Sequence, residues 1–135
     1  MTRCDRRRAL RGVIASALAA LSLAAVAQPQ VARGFPQNAL RGELLLQSPN
    51  DVLVNGVPAR LAPGLRIRGQ DNLMIVSGAI LGQKFVGHYT VDSYGLLNQI
   101  WVLRPDEIAN QPWPRTAAET AAWAFDPVGQ RWAKP

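Results

Sequence analysis

A chain of 135 residues with 15 Lys+Arg, 9 Asp+Glu and one histidine carries a formal net charge of +6, but the excess sits near its N-terminus. Five arginines and one aspartate fall within residues 1–27, leaving ten basic and eight acidic residues, too even a balance for the basic face that nucleic-acid binding needs. The only cysteine, Cys4, lies in the same stretch, so the remainder has no disulfide, no thiol nucleophile and no thiolate metal ligand.

The elements follow in chain order. Arg3, Arg6, Arg7, Arg8 and Arg11 precede an apolar run from Val13 to Ala27 that ends Ala25-Val26-Ala27. A positive start, a short apolar run and a small-x-small end define a cleavable secretory signal, expected here over 1–27. The run is shorter than the roughly 20 residues of a spanning helix, so no transmembrane anchor is expected after cleavage. Arg6-Arg7-Arg8-Ala9-Leu10 is similar to a twin-arginine motif, although the general secretory route also uses arginine-rich starts. Either route makes the protein periplasmic. Cys4 precedes the apolar run, where a lipidated cysteine would follow it.

Residues 28–39, with Pro29, Gly34 and Pro36, read as a flexible N-terminal arm. From Leu40 to Arg104 short strands alternate with turns. Leu40–Gln47 is the first strand. Val52-Leu53-Val54, Asn55-Gly56 and Val57–Leu61 form a hairpin with a type I′ turn, because Asn-Gly tolerates two positive φ angles. Pro63-Gly64 reads as a turn before a separate strand, Leu65–Arg68. Leu73–Val76, Lys84–Val91 and Leu96–Leu103 complete the series. Strands at this spacing predict a mainly β domain, a small antiparallel five- to six-stranded barrel of OB or SH3-like type, closed because long open edges invite aggregation.

Residues 105–135 read as a helical, Trp-rich tail packed on the barrel. Pro105 opens a short turn with Asp106 and Glu107 in it. Thr116 and Glu119 have capping-box spacing and open a helix to about Phe125. Trp113, Trp123 and Trp132 serve as apolar anchors that pin this tail and cover an open end of the barrel, or as a ligand or carbohydrate platform.

The chemistry-bearing residues are few. His88 is the sole histidine; with Tyr89 and Asp92 it is the one seed for a hydrolase or metal-dependent enzyme. A zinc site needs three or four ligands, and no serine has a second candidate base, so no catalytic residues, metal or cofactor are expected. Arg66 and Arg68 share a strand face by their spacing of two. With Lys84 and His88 they form the candidate ligand-binding set, a basic strand face for a polyanion or cell-wall polymer. The expectation is a non-enzymatic periplasmic binding or interaction module whose partner is an envelope protein or polymer.

The run Leu53-Val54-Asn55-Gly56-Val57-Pro58-Ala59-Arg60-Leu61-Ala62-Pro63-Gly64-Leu65-Arg66-Ile67-Arg68, with Ile100-Trp101-Val102-Leu103-Arg104-Pro105-Asp106-Glu107, resembles a group of exported proteins of Gram-negative bacteria with no assigned activity. The strand, Asn-Gly, strand opening more loosely resembles small OB-type barrels of the periplasm. The resemblance implies a fold and a compartment, and it carries no functional residue across.

Overall fold

The computed structural model describes residues 31–135. The signal-peptide reading and Cys4 lie outside the described residues. Eight strands and two short helices follow one another: β1 (Leu40–Leu46), β2 (Asp51–Val54), β3 (Val57–Arg68), β4 (Met74–Ile75), β5 (Lys84–Val91), β6 (Leu97–Val102), α1 (Pro105–Ile108), α2 (Ala117–Ala122), β7 (Ala124–Asp126) and β8 (Arg131–Ala133). Among the described residues no helix is long and apolar enough to cross a membrane.

Five strands close a barrel in the order β1-β2-β3-β6-β5 and back to β1, and β4 adds a short sixth strand beside β3. Four of the five pairings are antiparallel, and β3 with β6 is parallel. This is the connectivity of an OB-type Greek-key barrel, and the parallel pair departs from the all-antiparallel expectation. Asn55 (φ 51°) and Gly56 (φ 81°) form the β2–β3 turn, both left-handed as a type I′ turn requires.

Pro63-Gly64 does not separate two strands. β3 runs through it for 12 residues, and its ladder to β6 jumps from Leu61↔Leu97 to Arg66↔Gln99. The proline, which lacks an N–H, sits in the bulged part, where the ladder asks nothing of it.

Alternation sorts each strand into two faces. Leu44, Leu46, Val52, Leu61, Ile67, Tyr89, Leu97 and Ile100 fill the barrel interior. A second core forms on the outer flank of β5 and β6, where Val86, Trp101 and Leu103 meet Phe35, Ala39, Trp113 and Trp132. The tryptophans of the tail therefore anchor it, but against the side of the barrel rather than over an open end. Residues 32–39 are also seated. Arg33, Phe35 and Ala39 are buried, so this part of the expected flexible arm is a packed strap. Its single arginine and single phenylalanine carry no periodicity, and for that reason it reads as a linker in sequence.

The tail's helix is shorter than expected. It ends at Ala122, and Trp123 is already extended. The chain then forms the β7–β8 hairpin, in which Phe125 faces Trp132 with ring centroids 4.6 Å apart. Trp123 and Phe125 both pack toward the second core, a period of two rather than 3.6.

Gly87 marks the tightest approach within the sheet. A Cβ there would lie 2.8 Å from the Trp101 carbonyl oxygen and 3.1 Å from Leu44 Cδ1. The carbonyl is backbone and cannot swing aside. Gly87→Ala is expected to destabilise the fold by about 2–3 kcal/mol, the upper part of the overpacking range, read as a lowered urea midpoint with unchanged slope.

Candidate functional site

The site is built on one row of outward-facing side chains. Arg41 faces His88 across β1–β5, His88 faces Trp101 across β5–β6, and Trp101 faces Arg68 across β6–β3. Outer-face residues of a barrel are ordinarily wet. Here the strap and the tail cover the first three, leaving Arg41 only 6% and His88 only 1% exposed.

Arg41 is held on nearly every side. Its Nη1 donates to the Ile108 and Asn110 carbonyls at 3.2 and 2.8 Å, and its Nη2 donates to the Glu107 carbonyl at 2.9 Å. These carbonyls end α1, where orphan acceptors need donors. Its Nε donates to His88 Nε2 at 3.2 Å. The guanidinium also lies 5.5 Å from the Trp113 ring centroid. Four of its five N–H groups are thus committed to its own chain. Among the described residues no carboxylate lies within ion-pair distance of it. Burial, and the nearby Arg115 charge, lower its pKa to about 10 against a weaker opposing pull from Glu107. It keeps its proton at neutral pH.

His88 stacks on Trp113 at 4.2 Å and meets the edge of Phe35 at 4.4 Å. Burial first, then the Arg41 and Arg33 charges, push its pKa down to about 2. It is neutral, and because Nε2 accepts from Arg41 the proton belongs on Nδ1. Nδ1 has no hydrogen-bond partner among the described residues. In the unfolded chain His88 takes up a proton near pH 6.5. Between that value and 2 the unfolded state holds more protons, so stability falls as the pH is lowered. The His88 contribution is expected to shrink by about 1.4 kcal/mol per pH unit below 6.5. Urea unfolding of the wild type and His88→Gln at pH 7 and pH 5 measures it, because the variant lacks this part of the slope.

Beside this row lies a buried charge network. Arg33 donates through Nε to Glu107 Oε2 at 2.9 Å and through Nη2 to Glu107 Oε1. It also donates to the Gly69 and Val102 carbonyls, both at 2.8 Å. Glu107 Oε1 accepts from the Arg104 backbone N–H at 2.9 Å, and Arg104 Nε sits 3.3 Å from Asp106 Oδ1. Glu107 therefore caps α1 and ties the strap to it, while Arg33 ties the strap to the barrel.

Above Arg41 the tail leaves an open cleft of about 650 Å³. Arg41 and Trp113 line it together with Arg115, Glu119, Trp123 and Lys134. Lys134 Nζ stands 5.2 Å from the centroid of the half-buried Trp123 ring. Arg115 and Lys134 have no ion-pair partner among the described residues. Three cations thus face one carboxylate. A neighbouring hollow of about 370 Å³ meets the cleft at Arg41, Gln111 and Arg115 and extends toward Glu43 and Asn55. Such volumes suit small-molecule or short-polymer ligands.

The four residues expected to bind ligand do not meet. Arg66 is exposed on β3, and Arg68 Nη1 donates to the Asn72 carbonyl at 3.2 Å in the following turn. Lys84 lies on β5, two strands away, paired with Glu43 at 3.3 Å. His88 is covered, with Trp101 between it and Arg68. Nor do His88, Tyr89 and Asp92 assemble. Tyr89 points into the barrel, and Asp92 Oδ1 accepts from Tyr94 and Leu96 in the next turn. Among the described residues no three His, Cys, Asp or Glu side chains are grouped to hold a metal ion.

Of the cleft residues, Trp113 and Trp123 were among the tail tryptophans read as anchors or as a ligand or carbohydrate platform, whereas Arg41, Arg115 and Lys134 were not candidates. The signal available in sequence was the interleaving of tail tryptophans with Arg115 and Lys134. The cleft lies on the β1–β5 flank, away from the β2–β3 face through which OB barrels commonly bind oligomers. No protein-family model matches the chain, and neither the characterised proteins nor the solved structures contain a significant match.

Proposed function

We propose that the protein is an exported, non-enzymatic binding module of the periplasm that holds an anionic ligand in the cleft between the barrel flank and its tail. The export half rests on the arginine-rich start, the apolar run and the Ala25-Val26-Ala27 end. The binding half rests on one observation, a buried Arg41 with no carboxylate at ion-pair distance among the described residues, lining the same open cleft as Arg115. The exposed Arg115 adds positive potential over the buried Arg41, and an anion between them relieves it. Arg41 has at most one N–H left to offer, so it supplies mainly charge. Arg115 and Lys134 supply the charge-assisted hydrogen bonds.

The test is calorimetric titration of the purified protein with citrate and with tripolyphosphate. Both are expected to bind, and more weakly as salt screens the cations. Arg115→Ala with Lys134→Ala is expected to abolish the heat without changing the circular dichroism spectrum. Binding that survives the double substitution rules the cleft out. Recovery of the protein from the periplasm with Gln28 as its first residue tests export separately.

A further inference from the structure

We infer that the anion is carried on sugar rings, so that the cleft takes an acidic oligosaccharide. This rests on the anion-binding reading above and specifies its ligand. Three features of the cleft are poorly suited to a bare anion and well suited to a carboxylated sugar.

The first is Glu119. Its carboxylate lines the same cleft as Arg41, Arg115 and Lys134. Against a plain polyanion it is a like charge and costs affinity. Against a ligand that also carries hydroxyls it is an acceptor, and a carboxylate accepting from O–H makes a strong hydrogen bond. Gln111 sits on the same lining and offers both donors and an acceptor, the mixed inventory that vicinal hydroxyls match.

The second is Trp123. Its ring is only partly buried, although Trp113 and Trp132 are covered to 4% and 5% exposure. The ring is a flat apolar platform beside a cation, with Lys134 Nζ 5.2 Å from its centroid. An aliphatic ring face can lie against such a platform while its charged substituent reaches the flanking ammonium or guanidinium. A flexible acidic peptide has no rigid face to place there.

The third is shape. The cleft continues through Arg41, Gln111 and Arg115 into the second hollow, which adds Glu43 and Asn55 and shares its cations with the cleft. A run of two or three rings along this path meets Glu119 and Lys134 in one half, Glu43 and Asn55 in the other, and Arg41 and Arg115 at the junction.

The experiment titrates the purified protein with four probes, reading tryptophan fluorescence and heat. Trigalacturonate is the acidic sugar, its methyl ester the uncharged sugar, triglutamate the acidic chain of equal net charge, and a thymidine trinucleotide the anion with stacking bases. Trigalacturonate is expected to bind at least about tenfold more tightly than each of the others, one well-made contact's worth of discrimination. Trp123→Ala is expected to remove that advantage, bringing trigalacturonate down to the affinity of triglutamate. Because Trp123 borders the second core, Glu119→Gln provides an independent arm. It is expected to tighten triglutamate by relieving repulsion, without tightening trigalacturonate. Equal affinity for trigalacturonate and triglutamate overturns the sugar assignment and leaves the anion reading standing. Tighter binding of the trinucleotide overturns it in favour of single-stranded nucleic acid. Failure of all three anions while citrate binds overturns the sugar assignment alone, and failure of citrate as well overturns both readings.

Discussion

Trp113→Ala is expected to cost about 4 kcal/mol of unfolding free energy, within the range for removing a buried large aromatic. In a domain of this size that lowers Tm by about 15–25 °C. Trp113 is the central contact of the second core. It stacks on His88 and sits about 6 Å, centroid to centroid, from Phe35 (5.9 Å), Phe125 (6.0 Å) and Trp132 (6.0 Å). These rings come from the strap, the barrel flank and the tail hairpin, so the void would open where all three meet. Its Nε1–H also donates to the Ala39 carbonyl at 2.9 Å, and losing that donor strands a buried acceptor. Trp113→Phe narrows the cause, since it keeps one aromatic ring in the core while losing the N–H and the smaller ring that carries it. It is expected to cost less than half as much. Urea unfolding followed by far-ultraviolet circular dichroism measures both. A loss below about 1 kcal/mol for the alanine variant would mean that the tail adds little to the stability of the barrel.

The barrel was largely legible in the sequence because its signals are local. Asn55-Gly56 specifies its own turn, and Leu65-Arg66-Ile67-Arg68 alternates apolar and basic residues as a strand with one wet face does, without reference to anything distant. Closure by a parallel β3–β6 pair was not legible, since it depends on a partner some thirty residues away. Pro63-Gly64 misleads for the opposite reason. Its turn chemistry is genuine, but a long twisted strand can absorb it as a bulge.

The candidate site was hardly legible, and the reason is specific. Arg41 and His88 occupy outward positions of strands, and by period two alone an outward arginine or histidine is a wet one. What buries them is a strap with only two anchoring side chains and a tail whose Trp123-Ala124-Phe125 reads equally well as the end of a helix. Burial in turn changes what these residues are. An exposed Arg41 would be one more solvated charge, whereas beneath Trp113 it is a fixed positive potential under a cleft. Arg66, Arg68 and Lys84 were visible because they stand out in the text, and they remain ordinary surface cations.

Glu107→Gln is expected to act on stability and binding in opposite directions. Glu107 is the carboxylate that answers Arg33, at side-chain exposures of 8% and 5%. Removing one partner of a buried pair leaves the other charge uncompensated, at a cost of about 3–5 kcal/mol. The amide retains an acceptor but turns N–H donors toward guanidinium groups that have only donors themselves. Arg33→Met is expected to be less harmful, because Glu107 keeps the Arg104 backbone N–H and the nearby Arg104 side chain. Combining the two changes should then cost less than their sum, the mark of a coupled pair. Arg41 meanwhile loses the one negative charge that raises its pKa. With less counter-charge beneath it the cleft becomes more positive, so the variant, below its lowered melting point, is expected to bind citrate several-fold more tightly than the wild type. A fall in both stability and affinity would show instead that Glu107 shapes the cleft, by holding α1 and its carbonyls in place around Arg41. Unchanged affinity with reduced stability would place the buried network outside the cleft's electrostatics and leave Arg115 and Lys134 as the cations that matter.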